Sequence, residues 1–318
     1  MHVFVTRQLP GAALDQLRAR HSVSVWPGLL PPSPVELRRY AQRSDGLLTL
    51  LTDRVDAGLL DACPSVRVVS NYAVGFENID IPAATARGIP VGHTPGVLTG
   101  ATAQLAITLI LDLLRRVSEA DKAVRQGRWQ TWEPAAYLGT SLSEVTLGLV
   151  GHGRIGRAVA ALARSLGMRV IYTTPGNGGH SLAEVLAQSD VVSLHAPLTP
   201  QTRGMINARV LAAMRPGALR VNVARGAMVD TAALTDALRA GHLAGAGLDV
   251  TDPEPLPVGH ELLTFPNVIV TPHIASATVA ARTAMADLAV GNLLAGLDGQ
   301  VMPHCANPAV YTRPAPTA

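Results

Sequence analysis

The sequence has few cysteines and few charged residues. Among its 318 residues are two cysteines, Cys63 and Cys305, which lie far apart and lack the CxxC or Cys/His spacing of metal sites and disulfide frameworks. We therefore expect no bound metal and a reducing, cytoplasmic setting. Charged residues make up 15% of the chain and the formal net charge is +3. The sequence contains no Lys/Arg cluster of the kind that binds nucleic acid, so we expect no nucleic-acid partner.

Long apolar segments are also missing. The longest uncharged stretch, residues 95–111, contains Thr, Gln and Gly and is shorter than a membrane span. The first residues resemble a strand and lack the pattern of a signal peptide, so we expect no membrane partner. Hydrophobic residues nevertheless make up 48% of a 33.2 kDa chain, which is larger than one usual core. Two domains are predicted.

Short β-branched segments alternate with helical patterns along the whole chain. Strands are predicted at residues 2–6, 23–26, 46–51, 66–71, 89–91, 145–150, 169–172, 191–194, 219–223, 246–250 and 268–271. Helices are predicted at 14–20, 34–43, 57–62, 81–87, 99–117, 155–166, 182–188, 231–240 and 277–297, with a further helical piece ending at 127. This alternation is typical of parallel sheets covered by helices on both faces. The tail from Thr312 is expected to be disordered.

Residues 147–156 combine a buried strand, a glycine-rich turn and the start of a helix. Gly151 permits the tight turn, Gly153 lets the backbone approach a pyrophosphate, and Gly156 allows close packing of the helix on the strand. The first N–H groups of the helix and its dipole then attract the anion. We predict dinucleotide binding; the alternative is that the glycines serve only a tight connection.

A second marker of NAD binding is missing. About 20 residues further on, an acidic residue normally holds the ribose 2′-hydroxyl, but Thr174 stands at that place. Without the negative charge a 2′-phosphate is not repelled, which slightly favours NADP. No arginine lies within residues 173–180 to bind such a phosphate, so NADP and NAD both stay open as the cofactor.

Three polar side chains follow predicted strands: Arg225, Glu254 and His273. The carboxyl ends of parallel strands line the crevice where ligands bind, so the three could converge. Hydride delivery to a keto carbon develops negative charge on its oxygen, which must be protonated and stabilised. Histidine suits the proton donor, a carboxylate orients the imidazole, and a guanidinium can clamp a carboxylate. Each residue alone could be ordinary: a capping histidine, a solvated loop glutamate or a surface arginine. Together they predict NAD(P)H-dependent reduction of a small 2-oxo acid, with His273 as proton donor.

Five motifs in sequence order resemble the D-2-hydroxyacid dehydrogenase family: residues 71–80, 151–156, 225–230, 249–255 and 271–274. Residues 248–257, 275–278 and 292–297 are particularly similar to glyoxylate/hydroxypyruvate reductases. The resemblance implies an α/β protein with two doubly wound parallel-sheet domains. A Rossmann dinucleotide-binding domain of residues 99–286 is inserted in a flavodoxin-like substrate domain of residues 1–98 and 287–318. The product would be the D-2-hydroxy acid.

The same resemblance assigns individual roles. Arg225, Glu254 and His273 are catalytic, the N–H groups of Val74 and Gly75 hold the substrate carboxylate, and Leu51 borders the substrate. Cofactor contacts fall on Thr102, Gly151, Gly153, Arg154, Ile155, Gly156, Thr174, Pro197, Thr202, Val223 and Asp249, the last facing the nicotinamide carboxamide. The family also implies a homodimer built through the crossing helices. Trp132 would reach into the partner's active site, or simply pack at the interface.

Three departures from the family pattern stand out. Gln104 replaces an acid of many relatives, Thr174 replaces the ribose-binding acid, and residues 175–181 are several residues shorter than usual. We therefore expect a truncated adenosine side. Two alternatives remain: a relative that acts on a phosphorus-containing substrate, such as a phosphite or phosphonate dehydrogenase, and a dinucleotide-sensing protein without turnover. Against the first, Val74 is apolar where phosphite dehydrogenases carry a lysine.

Overall fold

The computed structural model describes residues 1–175 and 178–312, which form two compact units. One unit contains residues 1–98 and 277–318, and the other contains residues 99–276. The first boundary coincides with the predicted one, but the second lies ten residues before the predicted 286/287. The predicted boundary would cut a continuous helix, since Thr278 caps a helix that runs to Leu297. The expected disorder of the tail concerns residues outside the described part, apart from Thr312.

The first unit contains a parallel sheet with the strand order β2-β1-β3-β4-β5, five strands in the part of the chain that the structure describes. The strands are β1 (His2–Val5), β2 (Ser22–Val25), β3 (Gly46–Thr49), β4 (Val68–Asn71) and β5 (Val91–Gly92). The helices are α1 (Ala13–Arg18), α2 (Pro34–Ala41), α3 (Ala57–Ala62), α4 (Ile81–Ala86) and α11 (Val279–Leu297). This is the flavodoxin-like order that the resemblance implies.

Local sequence signals start the helices of the first unit. Ser33 and Glu36 form a reciprocal capping box at α2, which has a proline in its first turn. The side chains of Asp56 and Asp80 cap α3 and α4 by accepting backbone N–H groups. Strands β3 and β4 are buried along their whole length, because helices cover both faces of a parallel sheet.

The second unit contains a parallel sheet with the order β11-β10-β9-β8-β6-β7, six strands within residues 99–175 and 178–276. The strands are β6 (Thr146–Val150), β7 (Arg169–Thr173), β8 (Val191–Leu194), β9 (Ala218–Asn222), β10 (Leu243–Leu248) and β11 (Val268–Val270). The helices are α5 (Thr99–Arg115), α6 (Val117–Arg125), α7 (Arg154–Ser165), α8 (Leu182–Gln188), α9 (Ala208–Ala212) and α10 (Thr231–Arg239). The chain switches direction across the sheet at β6, where a doubly wound fold binds its ligand.

Strand β7 forms one edge of this sheet. The described residues between β7 and α8, 174–175 and 178–181, contain no strand, as expected from the shortened segment. The chain folds back at once, because the His180 N–H donates to the Tyr172 carbonyl at 2.9 Å and a Ser181/Glu184 capping box starts α8. Residues 176 and 177 of the shortened segment lie outside the described part.

Helices cover the sheet of the second unit on both sides. Helices α5 and α7 pack on one face, over a core that includes Leu147 and Val159, and α8, α9 and α10 cover the other. The sequence patterns did not predict α9, which has five residues and begins at an Asn207 cap. Such a helix is too short to show a helical period. Among the described residues, no helix is both long and apolar enough to cross a lipid bilayer.

Candidate active site

Arg225, Glu254 and His273 lie at the carboxyl edge of the second unit's sheet, after β9, β10 and β11. His273 Nδ1 lies 2.6 Å from Glu254 Oε1, and both side chains are partly exposed. The positive charge of Arg225 acts on the Glu254 carboxyl group. The structure therefore brings together the three side chains that the sequence places 19 and more residues apart.

The Glu254 carboxylate is held in its ionised form. Burial alone would raise its pKa, but the hydrogen bond and charge of His273 oppose this, with help from the Thr251 N–H and Arg225. Together these interactions hold the pKa of Glu254 below its ordinary value. An ionised carboxylate on Nδ1 fixes the imidazole orientation and leaves Nε2 as the nitrogen that can serve a ligand.

The loop that carries His273 is fastened by the Asp249 carboxylate. Asp249, 1% exposed, accepts the Thr271 hydroxyl at 2.6 Å and the N–H groups of Ile274 and Ala275 at 2.7 and 2.8 Å. His273 itself adopts a φ of +54°, a region that few residues other than glycine populate. The Asp249 bonds on both sides of His273 stabilise that conformation. Asp249, predicted as a cofactor contact, thus has a local role in placing His273.

The Arg225 loop is positioned by a close approach and by a buried asparagine. A side chain at Gly226 would collide with the Thr251 carbonyl, so the glycine lets the Arg225 loop lie directly against the loop before Glu254. Asn222, fully buried at the end of β9, donates to the Arg225 carbonyl at 2.9 Å and accepts the Ala224 N–H at 3.0 Å. These bonds fix the backbone from which the guanidinium extends.

The glycine-rich turn after β6 has the geometry of an anion-binding turn. Gly151 has a φ of +101°, and a side chain there would meet the backbone of Ala196 at 2.6 Å. A side chain at Gly156 would collide with the Gly151 carbonyl, so the glycine lets the first turn of α7 lie directly against the turn after β6. At Gly153, the N-cap of α7, no atom lies within 4 Å of the added Cβ position. The start of α7 is open to a phosphate.

His195 lies beneath this turn and adds no positive charge to it. Burial lowers the pKa of His195 to about 3, so the imidazole is neutral, and its Nε2 contacts the Ser193 hydroxyl at 2.9 Å. Attraction for a phosphate at the turn therefore comes from backbone N–H groups and the α7 dipole.

The other predicted cofactor residues lie in the loops after β7, β8 and β9 and in helices α5 and α7. Thr202 donates its hydroxyl to the Pro197 carbonyl at 2.7 Å, which closes the loop after β8. Val223 directly follows β9 and is 8% exposed, whereas Thr102 is buried in α5. Arg154 is exposed at the first position of α7, followed by the partly exposed Ile155, and Thr174 directly follows edge strand β7. Gln104 is exposed on α5.

The predicted substrate residues of the first unit lie in two turns at the carboxyl ends of β3 and β4. Leu51 is exposed in the turn after β3, and Val74 and Gly75 are partly exposed in the turn after β4. The N–H groups of Val74 and Gly75 donate to no acceptor among the described residues. Trp132 of the second unit is 80% exposed in the segment between α6 and β6.

Several residues that shape these turns were not predicted. Asn222 supports the Arg225 loop, and Asn71 and Asn78 bind the turns of the first unit. One signal for Asn222 and Asn71 was available, because an asparagine that ends a buried apolar strand needs hydrogen-bond partners. Within the described residues, no group of three or more His, Cys, Asp or Glu side chains is arranged to hold a metal ion.

Comparison with known proteins agrees with this arrangement. The sequence model of the D-isomer specific 2-hydroxyacid dehydrogenase NAD-binding domain matches residues 107–275, and a glyoxylate reductase of Thermofilum pendens is 45% identical over 96% of this chain and 94% of its own. The chain belongs to the D-isomer specific 2-hydroxyacid dehydrogenase family. Its second unit thus contains the family's NAD-binding domain, and the doubly wound parallel sheet of that unit is its Rossmann fold.

Two solved structures extend the comparison to the whole fold. A protein of Thermus thermophilus superposes with a TM-score of 0.91 at 50% identity, covering 96% of this chain and 100% of that one. An NADPH-dependent glyoxylate/hydroxypyruvate reductase of Sinorhizobium meliloti superposes with a TM-score of 0.82 at 34% identity, covering 96% and 98%. The resemblance to the family, predicted from five motifs, is confirmed.

Proposed function

We propose that this dehydrogenase reduces a small 2-oxo acid of the glyoxylate or hydroxypyruvate type to the D-2-hydroxy acid, using NADPH or NADH. One observation carries the proposal: an imidazole bonded at 2.6 Å to an ionised carboxylate, under the charge of a guanidinium, at the carboxyl edge of the NAD-binding domain. Relatives described as glyoxylate reductases support the choice of substrate class.

The residues of the glycine-rich turn fit a dinucleotide. The open space at Gly153 and the unfilled N–H groups at the start of α7 would hold the pyrophosphate. Gly151, Arg154, Ile155 and Gly156 form this part of the site, and Thr102, Thr174, Pro197, Thr202, Val223 and Asp249 are the further cofactor residues of the proposal. When bound, the reduced nicotinamide supplies a hydride.

The chain's own residues would then handle the charge on the substrate. Leu51 borders the substrate. The substrate carboxylate accepts hydrogen bonds from the N–H groups of Val74 and Gly75. The Arg225 guanidinium contacts the same substrate and polarises its keto oxygen. As the keto carbon accepts the hydride, the oxygen takes a proton from His273 Nε2, and Glu254 stabilises the imidazolium that gives it. The product is the 2-hydroxy acid, and the imidazole regains its proton from water.

The nucleotide preference of the proposal is NADP over NAD, by a small margin. Thr174 brings no carboxylate to the end of β7 that would repel a 2′-phosphate. The Sinorhizobium meliloti relative is described as NADPH-dependent, whereas a D-lactate dehydrogenase from Aquifex aeolicus was solved with NAD, so the family includes both.

We also propose a homodimer and a cytoplasmic location. Residues 117–138 expose six large hydrophobic side chains, which a second copy of the chain would cover: Val117, Val124, Trp129, Trp132, Tyr137 and Leu138. In that dimer, Trp132 would contribute to the partner's substrate site. Both cysteines are unpaired, which fits a reducing compartment.

One panel of assays tests the proposal: oxidation of NADPH and NADH against glyoxylate, hydroxypyruvate, pyruvate and phosphonopyruvate. We expect turnover with glyoxylate and hydroxypyruvate. Activity confined to phosphonopyruvate, or reduction of the oxidised nucleotide by phosphite, would favour a phosphorus-containing substrate. Nucleotide binding without turnover on any acid would favour a dinucleotide-sensing protein, although the assembled Arg225, Glu254 and His273 set speaks against it.

A further inference from the structure

The side chain of Asn78 joins the two turns of the first unit that carry Leu51 and Val74. Its Nδ2 donates to the Leu50 carbonyl at 3.0 Å and to the Asp53 carbonyl at 2.8 Å, at either end of the turn that contains Leu51. Its Oδ1 accepts from Asn71 Nδ2 at 3.0 Å. One amide group therefore sets the spacing between the two turns.

The peptide groups around Val74 are oriented by three separate hydrogen bonds. The Ala73 carbonyl accepts the Thr94 N–H at 2.8 Å, and the Val74 carbonyl is bonded to His93 Nδ1 at 2.9 Å. The Gly75 carbonyl accepts from Asn71 Nδ2 at 3.0 Å. These peptide bonds are trans, so each N–H points opposite to its fastened carbonyl. The N–H groups of Val74 and Gly75 therefore point away from Thr94 and His93, respectively, whereas the Asn71 bond fixes the next peptide, Gly75–Phe76. Neither the Val74 nor the Gly75 N–H has an acceptor among the described residues, so both could bind an anion.

Buried groups support the network on its inner side. Asn71 is fully buried, and its Oδ1 accepts the Thr49 hydroxyl at 3.1 Å. The Asp53 carboxylate, 3% exposed, accepts the Leu50 N–H at 2.7 Å and the hydroxyl of Thr6. Burial raises the pKa of Asp53, and the Thr6 and Leu50 bonds oppose that rise. Water cannot readily replace such bonds, so the network holds both turns firmly.

We propose that Asn71 and Asn78 are positioning residues for the substrate carboxylate. Asn71 fixes the Gly75 carbonyl at the end of the turn that presents the Val74 and Gly75 N–H groups, and Asn78 holds the Leu51 turn beside it. This inference rests on the proposed function. A carboxylate is bound in the ground state and in the transition state alike, and loss of such uniform binding raises KM while kcat stays close to its original value.

The test uses Asn78→Ala and Asn78→Asp, each with intact nucleotide-binding and catalytic residues. We expect KM for glyoxylate, and the inhibition constant of oxamate, to rise by about tenfold or more, because small displacements of a binding group are costly. We expect kcat within about threefold of wild type, since a loss of uniform binding spares kcat, and an unchanged Kd for the nucleotide. If Asn78→Ala does not fold, Asn71→Asp gives the same test, because it keeps the acceptor for Thr49 and loses the donor to Gly75.

Asn267→Ala is the matched control. Its amide also donates to a backbone carbonyl, that of Ala244 at 2.7 Å, but it precedes β11 at the amino edge of the other unit's sheet. We expect a lower unfolding temperature and an unchanged KM.

The inference is overturned if the Asn78 variants raise KM no more than Asn267→Ala does, or if kcat falls as much as KM rises. If the wild-type protein reduces no 2-oxo acid, the proposed function is refuted, and the inference is refuted with it. Turnover by the wild type with unchanged KM in the variants would remove the inference alone.

Discussion

Arg220 is a charged residue in the apolar core of the second unit, and we predict that its replacement by methionine stabilises the protein. The side chain is fully buried in the middle of β9, and Val192 and Ala246 are its neighbours in register on β8 and β10. Both neighbours belong to the core beneath α8, α9 and α10. None of the three guanidinium nitrogens has a hydrogen-bond partner among the described residues. Burial lowers the pKa of Arg220 to about 9, which reflects the cost of holding the charge there.

The size of the effect follows from this environment. Replacement of buried ion pairs by apolar residues of similar volume stabilises proteins by about 1–4 kcal/mol, and a guanidinium without a partner lacks even the compensating attraction. Methionine has a similar length and adapts to irregular packing, so little cavity is left. Taking about 2 kcal/mol, we expect a rise in Tm of about 4–8 °C for a unit of this size.

Thermal unfolding followed by circular dichroism measures this shift, with Arg209→Met as the control. Arg209 is exposed on α9, so its replacement should change the free energy of unfolding by no more than about 0.5 kcal/mol. If Arg220→Met unfolds at a lower temperature than the wild type, the guanidinium contributes stabilising contacts, and the reasoning is refuted.

Three further predictions concern the active site. Arg225→Lys should lower kcat/KM for glyoxylate by about 10²-fold or more, since an ammonium group cannot replace the bidentate hydrogen bonds of a guanidinium. A variant with wild-type kcat/KM would show that Arg225 does not bind the substrate in this way. Glu254→Gln removes the carboxylate that orients the His273 ring and stabilises its imidazolium, so kcat for glyoxylate reduction should fall by about tenfold or more. A kcat equal to that of the wild type would show that Glu254 does not act through its charge. Asp249→Asn should leave the Kd of the nucleotide within about tenfold but lower kcat, because the His273 loop loses charge-assisted bonds; a change confined to nucleotide affinity would make Asp249 a cofactor contact only.

Much of the fold could be predicted, because apolar periodicity is local information. Alternating strands and helices indicated two parallel sheets, and the missing residues after β7 indicated a shortened adenosine side. The predicted domain boundary at 286/287 falls inside the helix predicted at 277–297, which the structure shows as α11, and the division into compact units falls before that helix, at 276/277. The burial of Arg220 was not predictable from the sequence either. An arginine in a strand usually marks an exposed position, and only the packing of α9 and α10 shows that this side chain is buried.

The candidate site was predictable in its ionisable groups but not in the polar groups that place them. Arg225, Glu254 and His273 each follow a strand and belong to recognisable motifs. Asn78 is bonded to residues 25 and 28 positions earlier in the chain, and Asp249 is bonded to a loop more than twenty residues later. Such side-chain to backbone bonds depend on strand order, which a sequence pattern does not specify.

The central claim is that His273 donates the proton when the 2-oxo acid is reduced. The most direct measurement is kcat for glyoxylate reduction by His273→Ala, together with the Kd of NADPH for the same protein. We predict that kcat falls by about 10²- to 10⁴-fold while the Kd stays close to the wild-type value. A kcat within a few-fold of wild type would contradict the account.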